Sequence, residues 1–232
     1  MTTIEPSTTN GRMATLRAFV GSLLLGLLGG LLLLGGGWLL LTITPIGSQI
    51  ALFVGLTTKT PWYLSRSAGT VAYLLLTGST VWGLLLSSKI IKETVPAVLS
   101  LAMHNLLSWL AVAFTALHAL ALLFDSYYPY SRADVTIPFI GPYRPGWVGI
   151  GILSLYFMIF TSLSFNFRKQ LGQKRWRQLH YLTFVIYVAA TVHGVMAGTD
   201  SSKPGMQLVY WGSGLLVLFL TNYRLLAGKT AR

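Results

Sequence analysis

The 232 residues include 53% hydrophobic side chains and only 9% charged ones, against about 25% charged in a soluble domain, which excludes a water-soluble globule. The formal charge is +12, from 17 Lys and Arg against 5 Asp and Glu, but the cations fall between apolar runs. There they orient a chain in a bilayer and meet anionic lipid, so nucleic acid is set aside as a partner. There is no cysteine, which excludes disulfides, thiolate-held iron–sulfur clusters, thiolate haem ligands and covalent haem attachment through C-x-x-C-H.

Residues 1–14 are polar and read as a disordered tail. Six apolar runs follow, near 16–43, 68–88, 96–124, 146–167, 178–198 and 206–227. Each is about as long as a helix needs to cross a hydrocarbon core of about 30 Å. The first run is too long for a signal-peptide core and lacks a clear small-x-small cleavage site. Its Gly26 and Gly30 stand at the G-x-x-x-G spacing that lets helices approach closely. The expected fold is therefore all-α, a six-helix membrane bundle over 15–228 with a short tail at 229–232.

Basic residues set the expected orientation. With the N-terminus cytoplasmic, 12 of the 17 Lys and Arg fall on the cytoplasmic side, among them Arg168, Lys169, Lys174, Arg175, Arg177 and Arg224. Lys59, Arg66, Arg132, Arg144 and Lys203 fall on the other. This split places both termini inside. Trp62, Tyr63, Trp147, Tyr210 and Trp211 then lie near the outer interface and Trp176 near the inner one. The outer loop 125–145 carries Tyr127, Tyr128 and Tyr130; loops of this length often carry function. Gly149-Ile150-Gly151 lies inside a span and has no meaning for phosphate binding.

The chain has four histidines, His104 and His118 in the third span and His180 and His193 in the fifth. An ionisable group in a bilayer core is costly and points to function. His118 lies seven residues before Asp125, and His193 seven before Asp200; His104 and His180 lie 21 and 20 before the same markers. The two spans run in the same direction, so the histidines pair by depth, His118 with His193 and His104 with His180. The two levels stand about 20 Å apart. Neutral imidazoles from two facing helices are ready axial ligands for haem iron. Two such pairs imply two b-type haems, one near each face, and an electron path across the membrane.

Facing is uneven. The 14 residues from His104 to His118 return to within about 40° of one face, but the 13 from His180 to His193 leave about 140° of mismatch. The fifth span therefore needs a distortion such as a π-bulge, or the two groups need different approach angles. The alternative use of the four histidines is interhelical hydrogen bonding, worth about 0.6–2 kcal/mol per bond, which does not predict matched levels.

H-x13-H on the third span and H-x12-H on the fifth, within six spans, resemble the ferric-reductase-like transmembrane domain. That domain is shared by NADPH oxidases, ferric reductases and the membrane subunit of the bacterial methionine sulfoxide reductase system. Arg66-Ser-Ala-Gly69 and Arg175-Trp176-Arg177-x-Leu179-His180 are similar to segments of its bacterial members. The resemblance covers about 60–227. It implies that His104 and His180 hold the inner haem, that His118 and His193 hold the outer, and that the protein resides in a bacterial plasma membrane. It also implies a separate electron donor, either a reductase subunit or flavoprotein carrying the flavin, or a quinol. The outer acceptor would be ferric iron, oxygen or a partner protein.

Haem propionates are anions and need cations at the membrane surface. Arg66 is a candidate for the outer haem, with Arg175 and Arg177 for the inner; snorkelling and positive-inside anchoring are their alternative roles. Arg132 and Arg144 are loop candidates for a propionate or an anionic acceptor, with plain solvation as the alternative. Met103 and Met196 read as packing, and Asn105, Ser108, Thr183 and Tyr187 as candidate hydrogen-bond partners of imidazole or haem. The competing functions are a quinol-linked cytochrome b anchoring another oxidoreductase, a haem-free scaffold, and a transporter. No Asp or Glu lies well inside a span to serve a proton or cation relay.

Overall fold

The computed structural model describes residues 57–88, 90–91 and 95–230. The expected tail at 1–14 and first span near 16–43, with Gly26 and Gly30, lie outside the described residues, as do Ala231 and Arg232 of the final tail. Every regular element among the described residues is helical. In chain order these are α1 (Thr60–Ser87), α2 (Ala97–Ala121), α3 (Arg132–Thr136), α4 (Pro145–Ser164), α5 (Arg168–Leu171), α6 (Gln173–His180), α7 (Leu182–Ala197) and α8 (Pro204–Thr230). Single 3₁₀ turns extend α2 through Leu122–Phe124 and α4 through Phe165–Phe167.

Among the described residues, five stretches are long and apolar enough to cross a membrane: Thr60–Ser87, Ala97–Phe124, Pro145–Leu171, Gln173–Ala197 and Pro204–Leu226. Each matches one of the last five expected runs. Proline stands at or beside the start of four of them, at Pro61, Pro96, Pro145 and Pro204, because its missing N–H costs nothing in a first turn. Inside the spans, Thr77, Ser108, Thr115, Ser154, Thr161 and Thr191 donate their hydroxyls to the carbonyl four residues back. This satisfies polar groups without water, as a hydrocarbon medium requires.

The outer surface is apolar. Leu208, Trp211, Leu215 and Phe219 are each more than 60% exposed on α8. So large an apolar surface is suited to lipid and not to water, and the protein is a multi-pass membrane protein. The interior is built from α1 against α2, α4 against α7, and further contacts of α1 with α7 and of α2 with α4; α8 lies against α1. Tyr73, Leu84, Tyr187, Val217 and Leu220 form one core cluster, and Ala111, Val112, Met158 and Ile186 another.

Two departures from the sequence expectation matter for the site. α1 begins at Thr60, eight residues ahead of the expected 68. Its 28 residues span about 42 Å, so Arg66 lies within the helix and not before it. The fifth span is in two pieces. α6 and α7 meet at Tyr181, whose N–H is shared between the Arg177 and Gln178 carbonyls, while Phe184 N–H bonds back only three residues, to Tyr181. The tightened turn advances the helix by more than 100° per residue and reduces the mismatch between His180 and His193. The expected distortion is present, as 3₁₀-like tightening and not as a π-bulge.

Candidate functional site

The structure brings the four histidines together in two pairs. The ring centroids of His104 and His180 are 6.0 Å apart with planes at 74°, and those of His118 and His193 are 6.1 Å apart with planes at 72°. The fourteen residues between His104 and His118 on continuous α2 separate the levels by about 21 Å.

Three of the four rings are held in one way. His118 Nδ1–H donates to the Ser65 carbonyl at 2.7 Å, His104 Nδ1–H to that of Ser79 at 3.1 Å, and His193 Nδ1–H to that of Trp147 at 2.8 Å. A carbonyl inside a helix has a second lone pair beyond the one used by its own ladder. Reaching it requires a bare helix surface four residues on, because side chains lean toward the helix N-terminus and cover the preceding turn. Glycine stands at each such place. A Cβ at Gly69 would lie 2.8 Å from His118 Nδ1, one at Gly83 3.2 Å from His104 Cε1, and one at Gly151 2.7 Å from His193 Nδ1 and Cε1.

This contact fixes the tautomer. With the proton on Nδ1, the lone pair is on Nε2, and Nε2 of these rings has no hydrogen-bond partner among the described residues. His180 differs. Its ring stacks on Trp176, with centroids 5.1 Å apart and planes at 20°, and its buried Nδ1 has no partner among the described residues.

Each pair lines a cavity. The one at His118 and His193 is about 250 Å³ and is walled by Gly69, Gly151, Arg66 and Asp200, with Tyr128, Tyr130, Asp134 and Tyr143 from the connection between α2 and α4. The one at His104 and His180 is about 480 Å³ and includes Gly83, Asn105, Trp176, Arg177, Thr183 and Arg224. Tyr130 is buried in the connection, and burial together with nearby Asp125 pushes its phenol up to about 12, so it stays protonated. Ser131 caps α3 reciprocally with Asp134, and these hydrogen bonds hold the Asp134 carboxyl below the usual carboxylate range. Tyr143 OH and Arg144 tie the connection to the Ala197 and Met196 carbonyls at the end of α7.

The remaining expected residues divide. Arg66 lines the His118–His193 cavity, pairs with Asp200 and stacks over Trp62, its carbon 4.0 Å from the ring centroid. Arg177 lines the other cavity, whereas Arg175 is exposed and outside its wall. Arg132 is exposed on α3. Met103 and Met196 line neither cavity. Asn105 and Thr183 line the larger one, but neither they nor Ser108 and Tyr187 bond an imidazole nitrogen. Ser108 and Thr183 give their hydroxyls to the carbonyls of His104 and His180 instead. Arg224 reaches the His104–His180 cavity and donates to Tyr181 OH at 3.4 Å. In the sequence it reads only as a topological charge; its place at the basic end of the last apolar run is the available signal.

The fit to haem can be tested on these atoms. Two metal–nitrogen bonds of ~2 Å, with about half a ring on each side, put two imidazole centroids about 6 Å apart, as both pairs stand. Among the described residues no group of three or more His, Asp or Glu is placed to hold an ion. Two facing imidazoles suit a metal whose other ligands come from a macrocycle. Among the described residues, the buried side-chain polar atoms without partners are Arg66 Nε, Trp176 Nε1, His180 Nδ1 and Ser100 Oγ. The first three belong to cavity-lining residues, and Arg66 and Trp176 are donors suited to carboxylates. The residues present fit a haem at each level. Comparison of the chain with family models, curated proteins and solved structures finds no match.

Proposed function

We propose that this protein is a di-haem b-type cytochrome that carries electrons across the membrane. The observation that supports this most is the two histidine pairs, each spaced to clamp one metal, at two levels of one bundle. A b-type haem at each level supplies one-electron chemistry through its iron. The chain's own contribution is to hold, orient and shield. His104 and His180 are the ligands at one level, and His118 and His193 those at the other. The Ser65, Ser79 and Trp147 carbonyls keep three of these imidazoles in the ligating tautomer. Arg66 on one side, and Arg177 and Arg224 on the other, meet the propionates; Trp176 Nε1–H is a further donor. The aromatic connection supplies Tyr128, Tyr130 and Tyr143 to the wall of the His118–His193 cavity.

The basic segment from Arg168 to Arg177 supports a cytoplasmic side for the His104–His180 level, by the positive-inside rule. The proposed bundle has six spans with both termini inside, in a bacterial plasma membrane. The resemblance to the ferric-reductase-like domain points to electrons entering at that level from a separate reductase or a quinol. They leave at the other toward ferric iron, oxygen or a partner protein. The test is the visible spectrum and haem content of the purified full-length chain. Two haems per chain are expected, and His118→Ala should lose one and leave the His104–His180 site largely loaded. A protein without Soret and α bands, or His118→Ala with full haem content, overturns the reading. Haem reduction by a quinol analogue would identify the donor class.

A further inference from the structure

The two levels are built unequally, and the difference is concentrated in one residue. His104, His118 and His193 each donate to a helix carbonyl and pack against a glycine on the facing helix. His180 has neither contact among the described residues; its buried Nδ1 has no partner and its ring rests on Trp176. Its support is also short. α6 has eight residues, none of them buried, between Gly172 at a positive φ of 76° and the tightened turn at Tyr181. The cavity beside it is about 480 Å³, nearly twice the other at about 250 Å³, so this level is the less closely walled of the two.

A ligand imidazole anchored through its second nitrogen is oriented before it binds and is a stronger base. One without an anchor gains rotamer freedom when it lets go. We infer that His180 is the exchangeable ligand of the four. The level it shares with His104 then accepts a small neutral exogenous ligand, of the class of carbon monoxide, that the His118–His193 level refuses. This rests on the haem reading above. His180 is on that reading an entry point, because the level facing the basic end is also where the donor is proposed to arrive.

The test uses the haem-loaded full chain, reduced with dithionite and exposed to carbon monoxide, with the Soret shift recorded against total haem. One carbon monoxide per two haems is expected. Trp176→Ala, which removes the indole stacked on His180, should speed binding about tenfold, the effect of losing one aromatic contact. Trp176→Phe keeps a ring and should restore the rate close to that of the native chain. A fully loaded protein that binds no carbon monoxide overturns the inference alone, as do two haems that react equally, or a rate unmoved by Trp176→Ala. A chain that binds no haem overturns the haem reading and this inference with it.

Discussion

Gly151→Ala gives the sharpest check on how the imidazoles are held. Its Cβ would lie 2.7 Å from two atoms of the His193 ring, where carbon atoms rest at about 3.5 Å or more. The ring must retreat by about 0.8 Å, away from α4. The Nδ1–H bond to the Trp147 carbonyl, 2.8 Å long, then stretches to roughly 3.6 Å and is lost. Overpacking of ~1–3 kcal/mol and a lost bond of ~0.5–1.5 kcal/mol outweigh the ~0.5–1 kcal/mol that alanine gains over glycine in a helix. The same change at Gly83 needs a shift of only about 0.3 Å, because its Cβ would lie 3.2 Å from His104 Cε1. There the helix gain nearly offsets the crowding. Gly212→Ala, with nothing within 4 Å among the described residues, is the control and should be neutral or slightly stabilising. Thermal unfolding in detergent, together with haem content, reads all three. Expected is a clear fall in both for Gly151→Ala, little change for Gly83→Ala, and none for Gly212→Ala. Equal losses at 151 and 83, or a worse outcome at 83, would refute the close-approach account.

Tyr73→Phe removes the hydroxyl that meets Tyr187, Thr191 and Ser213 at 3.3, 3.2 and 2.8 Å; a loss of about 1–3 kcal/mol is expected from chemical unfolding, and a neutral result would show the network to be dispensable. Arg66→Ala should destabilise by only about 0.5–1 kcal/mol, because Asp200 is a quarter exposed and keeps Lys203 at 2.7 Å. The double variant with Asp200→Ala should recover part of that, and an additive cycle would deny the coupling. The depressed carboxyl of Asp134 contributes loop stability fully above its unfolded value of about 3.9, and that contribution is lost as pH falls through the lower folded value. Ser131→Ala should therefore raise the Asp134 titration midpoint toward the unfolded value, as followed by carboxyl NMR; an unmoved midpoint contradicts the capping contact.

The last five spans and the pairing of histidines by level were legible in the sequence because both are side-chain patterns. Apolar length marks a span, and distance from Asp125 and Asp200 marks depth. The unevenness of the fifth span was legible too, since 13 residues do not return to one helix face. Its solution was not, because sequence does not distinguish a tightened turn from a widened one. The start of α1 at Thr60 is hidden in the sequence because average hydropathy falls around Lys59 and Arg66, although Pro61 marks a first turn. The sequence points to Asn105, Ser108, Thr183 and Tyr187 as imidazole partners, whereas the shared partners are backbone carbonyls, joined at two positions by the Ser65 and Ser79 hydroxyls, 3.1 Å from His118 Nδ1 and 3.4 Å from His104 Nδ1. A carbonyl leaves no trace in residue identity; the trace lies in the glycine four places later, as at Gly69, Gly83 and Gly151, and in those two serines.

The equal intervals on α1 and α2 have a consequence for how this hairpin tolerates change. Fourteen residues separate Ser65 from Ser79, and fourteen separate His104 from His118 on the antiparallel helix of the hairpin. The two helices therefore work as matched rulers. Deleting one residue between Ser65 and Ser79 would rotate everything beyond it by about 100° and uncouple one level while sparing the other. Insertions in the connection between Ser88 and Pro96 leave both rulers in phase. Length variation should thus be confined to that connection, where a longer or shorter linker leaves both imidazole–carbonyl contacts of the hairpin in register.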